Sequence, residues 1–475
     1  MTTPVLGTRP VTHEPLAPLR ELCGGDVHLP GDPGYDAARS PWAVAVDQRP
    51  AAVAFPRTPT DVAAVVRCAA ELGLRVAPQS TGHNAGPLAG QGLDDVVLLQ
   101  TRHLDEVSVD LERGIVRVGG GVTWEPVVAA AAAVGRSVLH GSSPDVGVVG
   151  YTLGGGMGWY ARQHGLSAHH VVAVELVDAR GELVRADADH HPELFWAVRG
   201  GGGSFGVVTA LELRLLDHHT AFGGMMVWDL TRAPEVLPAW AAWAETAPDC
   251  VTTSLRLFRL PPMPELPDFL RGRELVVVDG AVLGTDEDAE AVLAPLRALE
   301  PEIDTFARVP AAALVRIHMD PEGPTPAASG TLTLAELPTD AMERMLDLVG
   351  PGRTSPLLLA ELRQLGGAVG RPHPDAGVLT HLDGAFLLFA VGIAATPEMG
   401  AAAHAAAAEL VAAMAPWGSD RTYLNFEEEP TDARRGYPAG AWEVLQGVRS
   451  AVDPDGRFVG NHPVPRLHEE QHRDG

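Results

Sequence analysis

What most limits the fold of this chain is where its glycines fall. Two dense clusters, "QSTGHNAGPLAG" (79–90) and "HGSSPDVGVVGYTLGGGMG" (140–158), interrupt stretches of short apolar runs. A glycine costs a helix interior about 1 kcal/mol, so both clusters are predicted to be loops. Gly82, Gly86, Gly147, Gly150, Gly154, Gly155, Gly156 and Gly158 let backbone N–H groups approach a ligand that side chains would hold off. Successive exposed N–H groups make a nest for a pyrophosphate without help from a lysine. Ordinary turns in a β-rich domain would use the same residues. His83 stands out, because neither core packing nor helix formation needs an imidazole at a small-residue tip.

Around the loops the pattern is mixed. Thr60 is expected to cap a helix over "DVAAVVRCAAELG", where Val62, Val65, Val66 and Ala69 share one face and Gly73 closes the turn. "LRVAP", "DDVVLLQ" and "IVRVGGG" read as strands, and an alanine-rich helix is predicted from Trp124 to Val134. "VVAVELVDARGELVRA" reads as a hairpin turning at 178–181, with a further strand in "VVTALELRL". Between 216 and 415 glycine clusters thin out and strand-like runs alternate with helical ones, which predicts an antiparallel sheet with helices on one face. The expected class is α+β, divided into 1–215, 216–415 and 416–475. The first thirty residues, rich in proline, are expected to form an arm over the surface, and the charged end to fray.

Composition removes several functions. With 475 residues and nearly half of them hydrophobic, the chain can bury a large core. A net charge of -26 opposes nucleic acids and anionic membranes, so neither is an expected partner. No uncharged apolar run reaches membrane-spanning length, and the N-terminal stretch lacks the apolar centre of a signal peptide. Cys23, Cys68 and Cys250 are scattered and odd in number, which suits a reducing cytoplasm. Lysine is absent, so all 35 basic residues are arginine. Schiff-base chemistry and a Walker A lysine are thereby excluded.

Two further motifs are decoys. "GGGGSFG" (200–206) formally holds both G-x-G-x-x-G and G-x-S-x-G, yet a strand rather than a helix is predicted to follow it. The pairs His169–His170 and His190–His191 are adjacent and project differently, and no H-E-x-x-H occurs, so no metal site is expected.

Four segments in order, "STGHNAGPL", "GGGMGWYARQHGLS", "ELFWAVRGGGGSFGVVT" and "YLNFEE…VDPDGRFVGNHPV", with "ELRQLGGA" between the last two, resemble the berberine-bridge-enzyme-like branch of the vanillyl-alcohol-oxidase (PCMH-type) flavoproteins. The resemblance implies a two-part FAD-binding domain interrupted by a substrate domain. It implies a covalent link from His83 to the 8α-methyl group of FAD. Gln79, Ser80, Thr81, Gly82, Asn84 and Gly86 of the first loop would line that cofactor. So would Ser143, Val146, Gly147, Gly150, Tyr151, Gly154, Gly155 and Gly158 of the second, together with Gly206, Val207 and Val208 toward the adenine. Ser143 stands where many members carry a second linking cysteine, which implies a single tether. Tyr423 of the Y-x-N motif would be the base beside the flavin, with Asn425 and Asn461 near the ring. Where relatives read G-L-x-x-D-N, this chain has His169 and His170. The activity implied is oxidation of an alcohol or activated C–H of a small organic substrate, favouring a secondary-metabolite intermediate over a sugar, with dioxygen as final acceptor. A dehydrogenase or oxygenating relative, a decayed flavoprotein and a nicotinamide enzyme are the rival readings.

Overall fold

The first long helix is capped two residues earlier than at Thr60. Thr58 caps it: its Oγ1 accepts from Asp61 N at 3.1 Å, and the Asp61 carboxylate accepts from Thr58 N at 3.0 Å. This reciprocal box, with Pro59 in the first turn where no N–H is needed, outcompetes the cap expected at Thr60. The helix, Pro59–Glu71, buries Val62, Val65, Val66 and Ala69 as the spacing predicts.

The computed structural model describes residues 16–264, 268 and 270–467. The first fifteen residues of the expected arm and the last eight of the charged end lie outside the described residues. Residues 16–30 do not form an arm. Leu19 and Leu29 are fully buried, and β1 (Val27–His28) pairs antiparallel with β2 (Ala52–Ala54). Their apolar side chains outweigh the prolines around them.

β1 and β2 join β3 (Arg75–Gln79) and β4 (Val96–Gln100) in a four-stranded sheet of order β1-β2-β4-β3, in which β4 runs parallel to both neighbours. Every residue of β4 is buried, as a strand covered on both faces requires. A second, antiparallel sheet has the order β5 (Val107–Asp110), β6 (Ile115–Gly119), β9 (Val207–Arg214), β7 (Val171–Val177), β8 (Leu183–Asp187). β7 and β8 are the predicted hairpin, with Gly181 at φ 74° in its turn. The stretch 200–206 holds the end of helix Pro192–Gly201 and one 3-10 turn, Gly202–Phe205, and leads straight into β9, with no strand before it and no α-helix after it, so neither decoy motif has its required setting.

The third sheet is antiparallel and eight-stranded. It comprises β10 (Thr220–Asp229), β11 (Val251–Arg259), β12 (Glu274–Val282), β13 (Ile303–Asp304), β14 (Ala307–Pro310), β15 (Ala327–Leu334), β16 (Leu357–Gln364) and β17 (Phe386–Ile393). Helices Ala233–Thr246, Thr339–Val349 and Pro397–Met414 share one large apolar core with it, built around Trp228, Trp240 and Phe386. The described residues thus form an α+β fold with three sheets.

The tail then returns to the first sheet. Val76 N donates to Arg457 O at 2.8 Å and Val459 N to Val76 O at 2.9 Å, so 457–459 lie alongside β3. Buried Asp453 fixes that turn by accepting from Arg457 N and Phe458 N.

Candidate functional site

The loop after β3 is held open from below. Gln79 is buried and accepts from Gln100 Nε2 at 3.0 Å, so its side chain anchors the loop. Gly82 adopts φ 77°, and a side chain there would strike Pro41. Trp42 N donates to Thr81 O at 2.8 Å, and the Trp42 indole stacks on the His83 imidazole with centroids 4.0 Å apart. His83 Nδ1 lies 2.8 Å from Thr81 Oγ1.

The second loop docks on the first. A side chain at Gly147 would collide with Ser80 Oγ, so only glycine lets the two loops touch. Asp145 faces His83, with Oδ1 3.5 Å from Nε2. It accepts from Trp42 Nε1 at 2.7 Å, Ser143 Oγ at 2.9 Å and Gly323 N at 2.8 Å. Burial alone would raise its carboxyl, but these donors and His83 hold it well below the usual carboxylate range. The Ser143 hydroxyl is thus committed to Asp145. Half-buried Val146 offers its carbonyl to Trp124 N.

The tail brings Tyr423 onto the glycine turn at the end of this loop. Its buried hydroxyl oxygen accepts from Gly156 N at 2.9 Å and Asn425 Nδ2 at 3.0 Å. Asn425 also donates to Tyr151 O at 2.9 Å, and its side chain fills the space a residue larger than Gly154 would take. Burial pushes the Tyr423 hydroxyl up to about 12, while Asn425, Gly156 and the more distant Arg363 act in the opposite sense. The ring lies against Gly155 and shares an apolar pocket with Met157, Leu166, Leu379 and Leu382.

Loop and tail also meet directly. Asn84 Nδ2 donates to Glu427 O at 3.0 Å, and a side chain at Gly86 would run into Glu428 O. Gln91 Nε2 donates to Asn461 O at 3.1 Å, and His462 approaches Glu427 O. Gly158 packs against His140 O. Gly206, Val207 and Val208 lie farther along. Val207 and Val208 are buried in β9, paired with Val177 and Leu176, while Gly203 ahead of them faces Pro78 and Gly460. His169 is a neutral structural bridge: Nδ1 accepts from Leu166 N and Nε2 donates to Leu379 O, with burial pushing it down to about 3.

Sequence reasoning missed the charged group on the eight-stranded sheet. Asp279 is fully buried, accepting from Arg256 Nη2 at 2.7 Å and Ser254 Oγ at 2.5 Å, and it meets His318 Nδ1 at 2.7 Å. Beside it, Glu361 and Arg363 face His318 Nε2 at 3.4 and 3.2 Å. The available signal was a charge at alternate positions of otherwise apolar strands, as in "SLRLFR" and "AELRQ". Among the described residues no group of three or more candidate ligands could hold a metal ion, and no helix is long and apolar enough to cross a membrane.

The residues fit a large, polar-tailed cofactor. His83 Nε2, Asn84 Oδ1 and the Tyr151 hydroxyl are buried without a hydrogen-bond partner within ordinary reach. Gly150 lies in the short helix Val148–Leu153 within the second cluster, with open space where a side chain would stand. A cleft of about 630 Å³ opens beside the loop, lined by Trp42, Ser80, Thr81, Gly121, Thr123 and Asp145.

Residues 50–187 match the family model described as FAD binding domain. A BBE-like protein of Physcomitrella patens superposes over 96% of this chain and 100% of its own with a TM-score of 0.84, at 18% identity. The chain thus carries an FAD-binding domain and shares the fold of that BBE-like protein. The crystal structure of 6-hydroxy-D-nicotine oxidase from Arthrobacter nicotinovorans matches this chain over 92% of its length and 97% of that chain, at 26% identity and a TM-score of 0.79. In sequence, (R)-6-hydroxynicotine oxidase of Paenarthrobacter nicotinovorans is 36% identical over 205 residues, 43% of this chain and 44% of that protein. The aligned stretch therefore spans less than half of that relative. Glucooligosaccharide oxidase from Acremonium strictum, with a TM-score of 0.78 at 22% identity over 95% of this chain and 99% of its own, is described as carrying a 6-S-cysteinyl, 8α-N1-histidyl FAD.

Proposed function

We propose that this flavoprotein is an FAD-linked oxidase, taking a hydride from an alcohol or activated C–H of a small organic substrate. The observation that carries the reading is the seat of Tyr423. One buried phenol oxygen accepts two hydrogen bonds on a glycine turn, and its own segment contacts the His83 loop through Asn84. When bound, the flavin supplies a two-electron acceptor that dioxygen reoxidises. Segments 1–215 and 416–475 would hold it, with residues of the first and second loops lining it and His83 as the single covalent tether. Ser143, hydrogen-bonded to Asp145, has no thiol to offer for a second.

Tyr423 takes the substrate proton at its hydroxyl oxygen. Asn425 and Gly156 favour the deprotonated form, because both donate to that oxygen. Met157, Leu379 and Leu382 exclude water beside it, and Arg363, paired with Glu361, lies over Phe426 next to it. Apolar walls next to a few buried charges favour a secondary-metabolite intermediate. The hydroxynicotine relative is in keeping with a compact heterocyclic or aromatic alcohol or amine, and the glucooligosaccharide relative keeps a sugar oxidase as the second reading. Three separate free cysteines support a reducing cytoplasm.

The test is hydrogen peroxide release by purified protein across panels of hydroxylated heterocycles, aromatic alcohols and oligosaccharides. Turnover with a dye acceptor but no peroxide would replace the oxidase by a dehydrogenase. No flavin in the purified protein would end both.

A further inference from the structure

Among the described residues, Asp145 is the carboxylate that faces His83, and three donors pin it there. Trp42 Nε1 and Gly323 N bond Oδ2 at 2.7 and 2.8 Å, and Ser143 Oγ bonds Oδ1 at 2.9 Å. Oδ1 is left 3.5 Å from His83 Nε2, a nitrogen that is buried and has no other partner. On the opposite edge of the ring, Nδ1 lies 2.8 Å from the Thr81 hydroxyl. Trp42 covers one face of the imidazole, stacked at an interplanar angle of 16°. The ring therefore cannot turn over without losing both edge partners and the stack.

A carboxylate beside one imidazole nitrogen selects the tautomer that carries its proton there. Nε2–H then points at Asp145, and the lone pair sits on Nδ1, where Thr81 can only donate to it. We propose that Asp145 is a positioning residue for flavin attachment: it fixes the Nε2–H tautomer of His83, so that Nδ1 is the atom that bonds the flavin. This rests on the reading of His83 as the tether. In the step, a bond forms between Nδ1 and the 8α carbon, and one C–H bond of that methyl group breaks. Its two electrons pass into the isoalloxazine, and dioxygen removes them as hydrogen peroxide. Two protons are released, one from the methyl group and one from Nε2, and they balance the two taken up by the peroxide. The ring carries a positive charge until Nε2 gives up its proton, and the fixed carboxylate offsets that charge.

The experiment uses the full chain, made flavin-poor in riboflavin-limited cells and then mixed with FAD. Acid-stable flavin in the precipitated protein is followed with time for wild type, Asp145→Asn, Asp145→Glu and His83→Ala. Asp145→Asn is expected to bind FAD yet attach it about 10- to 100-fold more slowly, the loss of one partly buried negative charge beside the imidazole, with partial rescue in Asp145→Glu. Attachment at the wild-type rate in Asp145→Asn would overturn the proposal. A second readout needs no variant: the histidyl-flavin released from digested wild type is compared with the two authentic ring isomers. The Nδ1 isomer supports the proposal and the Nε2 isomer overturns it, even if Asp145→Asn fails to fold. Failure of the underlying reading has its own signature, FAD that binds wild type but washes out completely in acid, and it removes the role of Asp145 as well.

Discussion

The guanidinium of Arg363 lies over the ring of Phe426, 5.0 Å from its centroid, and Phe426 in turn sits 5.6 Å from Tyr423. Arg363 belongs to β16 of the eight-stranded sheet, whereas Phe426 and Tyr423 belong to the returning tail. One cation thus ties the two parts together and places positive charge near the phenol, where it favours the phenolate.

Tyr423 should govern the pH profile. Burial pushes its hydroxyl up to about 12, and a base works only after losing its proton. The rate should therefore rise as pH is taken from neutral into the alkaline range. Tyr423→Phe is expected to lose about 100-fold in kcat/KM and to flatten that rise, with flavin retention unchanged. Stopped-flow reduction of the bound flavin across pH measures both. A wild-type profile retained by Tyr423→Phe would assign the proton transfer elsewhere.

Gly154→Ala should act through Asn425. A methyl group at 154 would overlap the Asn425 amide, which bonds both Tyr151 O and the Tyr423 hydroxyl. The expected loss is about 1–3 kcal/mol in urea unfolding, accompanied by loss of turnover. Adding Asn425→Ala removes the overlap, so the double variant should regain stability without regaining activity. Strictly additive losses would contradict the coupling.

Glu428 should make the protein less stable as pH rises. It is partly buried, pushed up to about 7 by burial, and bonded to Ser329 Oγ at 2.5 Å. A carboxyl whose folded value lies above its unfolded one binds its proton more tightly in the native state. Its contribution is complete below the unfolded value near 4.5 and is lost as pH rises through about 7. Glu428→Gln should therefore be more stable than wild type at pH 8, by about 2 kcal/mol, and indistinguishable from it well below pH 4.5. Thermal melts of both proteins across that range measure the difference.

Much of the fold was legible because local signals agreed. Pro59–Glu71, the β7–β8 hairpin and the run of apolar strands each had their spacing written in adjacent residues. The cap at Thr58 was missed because two threonines compete within three positions, and only the Asp61 side chain decides between them. The Tyr423–Asn425 pair could be named from motif, and the two glycine clusters only in part: each was expected to be a loop, yet each holds a short helix, Gly86–Ala89 and Val148–Leu153, whose other residues are good enough helix formers to carry one glycine. Asp145, Trp42 and the Arg256–Asp279–His318 group could not, since each gains its meaning from partners far along the chain. Trp42 and Asp145, for example, are 103 residues apart. Residues 16–30 misled for the opposite reason: their composition spoke for a loose arm, while two leucines decided the packing.

The meeting of the His83 loop with the tail bears on the order in which the protein is made. Asn84 and Glu427 are 343 positions apart, and Gln91 and Asn461 are 370 apart. A ribosome will have released the first loop long before either partner exists. Until then Asn84 and Gln91 lack their partners in the tail, and the phenol that completes the seat is absent. Contacts of such long sequence separation are slow to form and close late in folding. Cofactor capture therefore waits for nearly the whole chain, and a cell short of flavin would accumulate a finished but open protein rather than a stalled one.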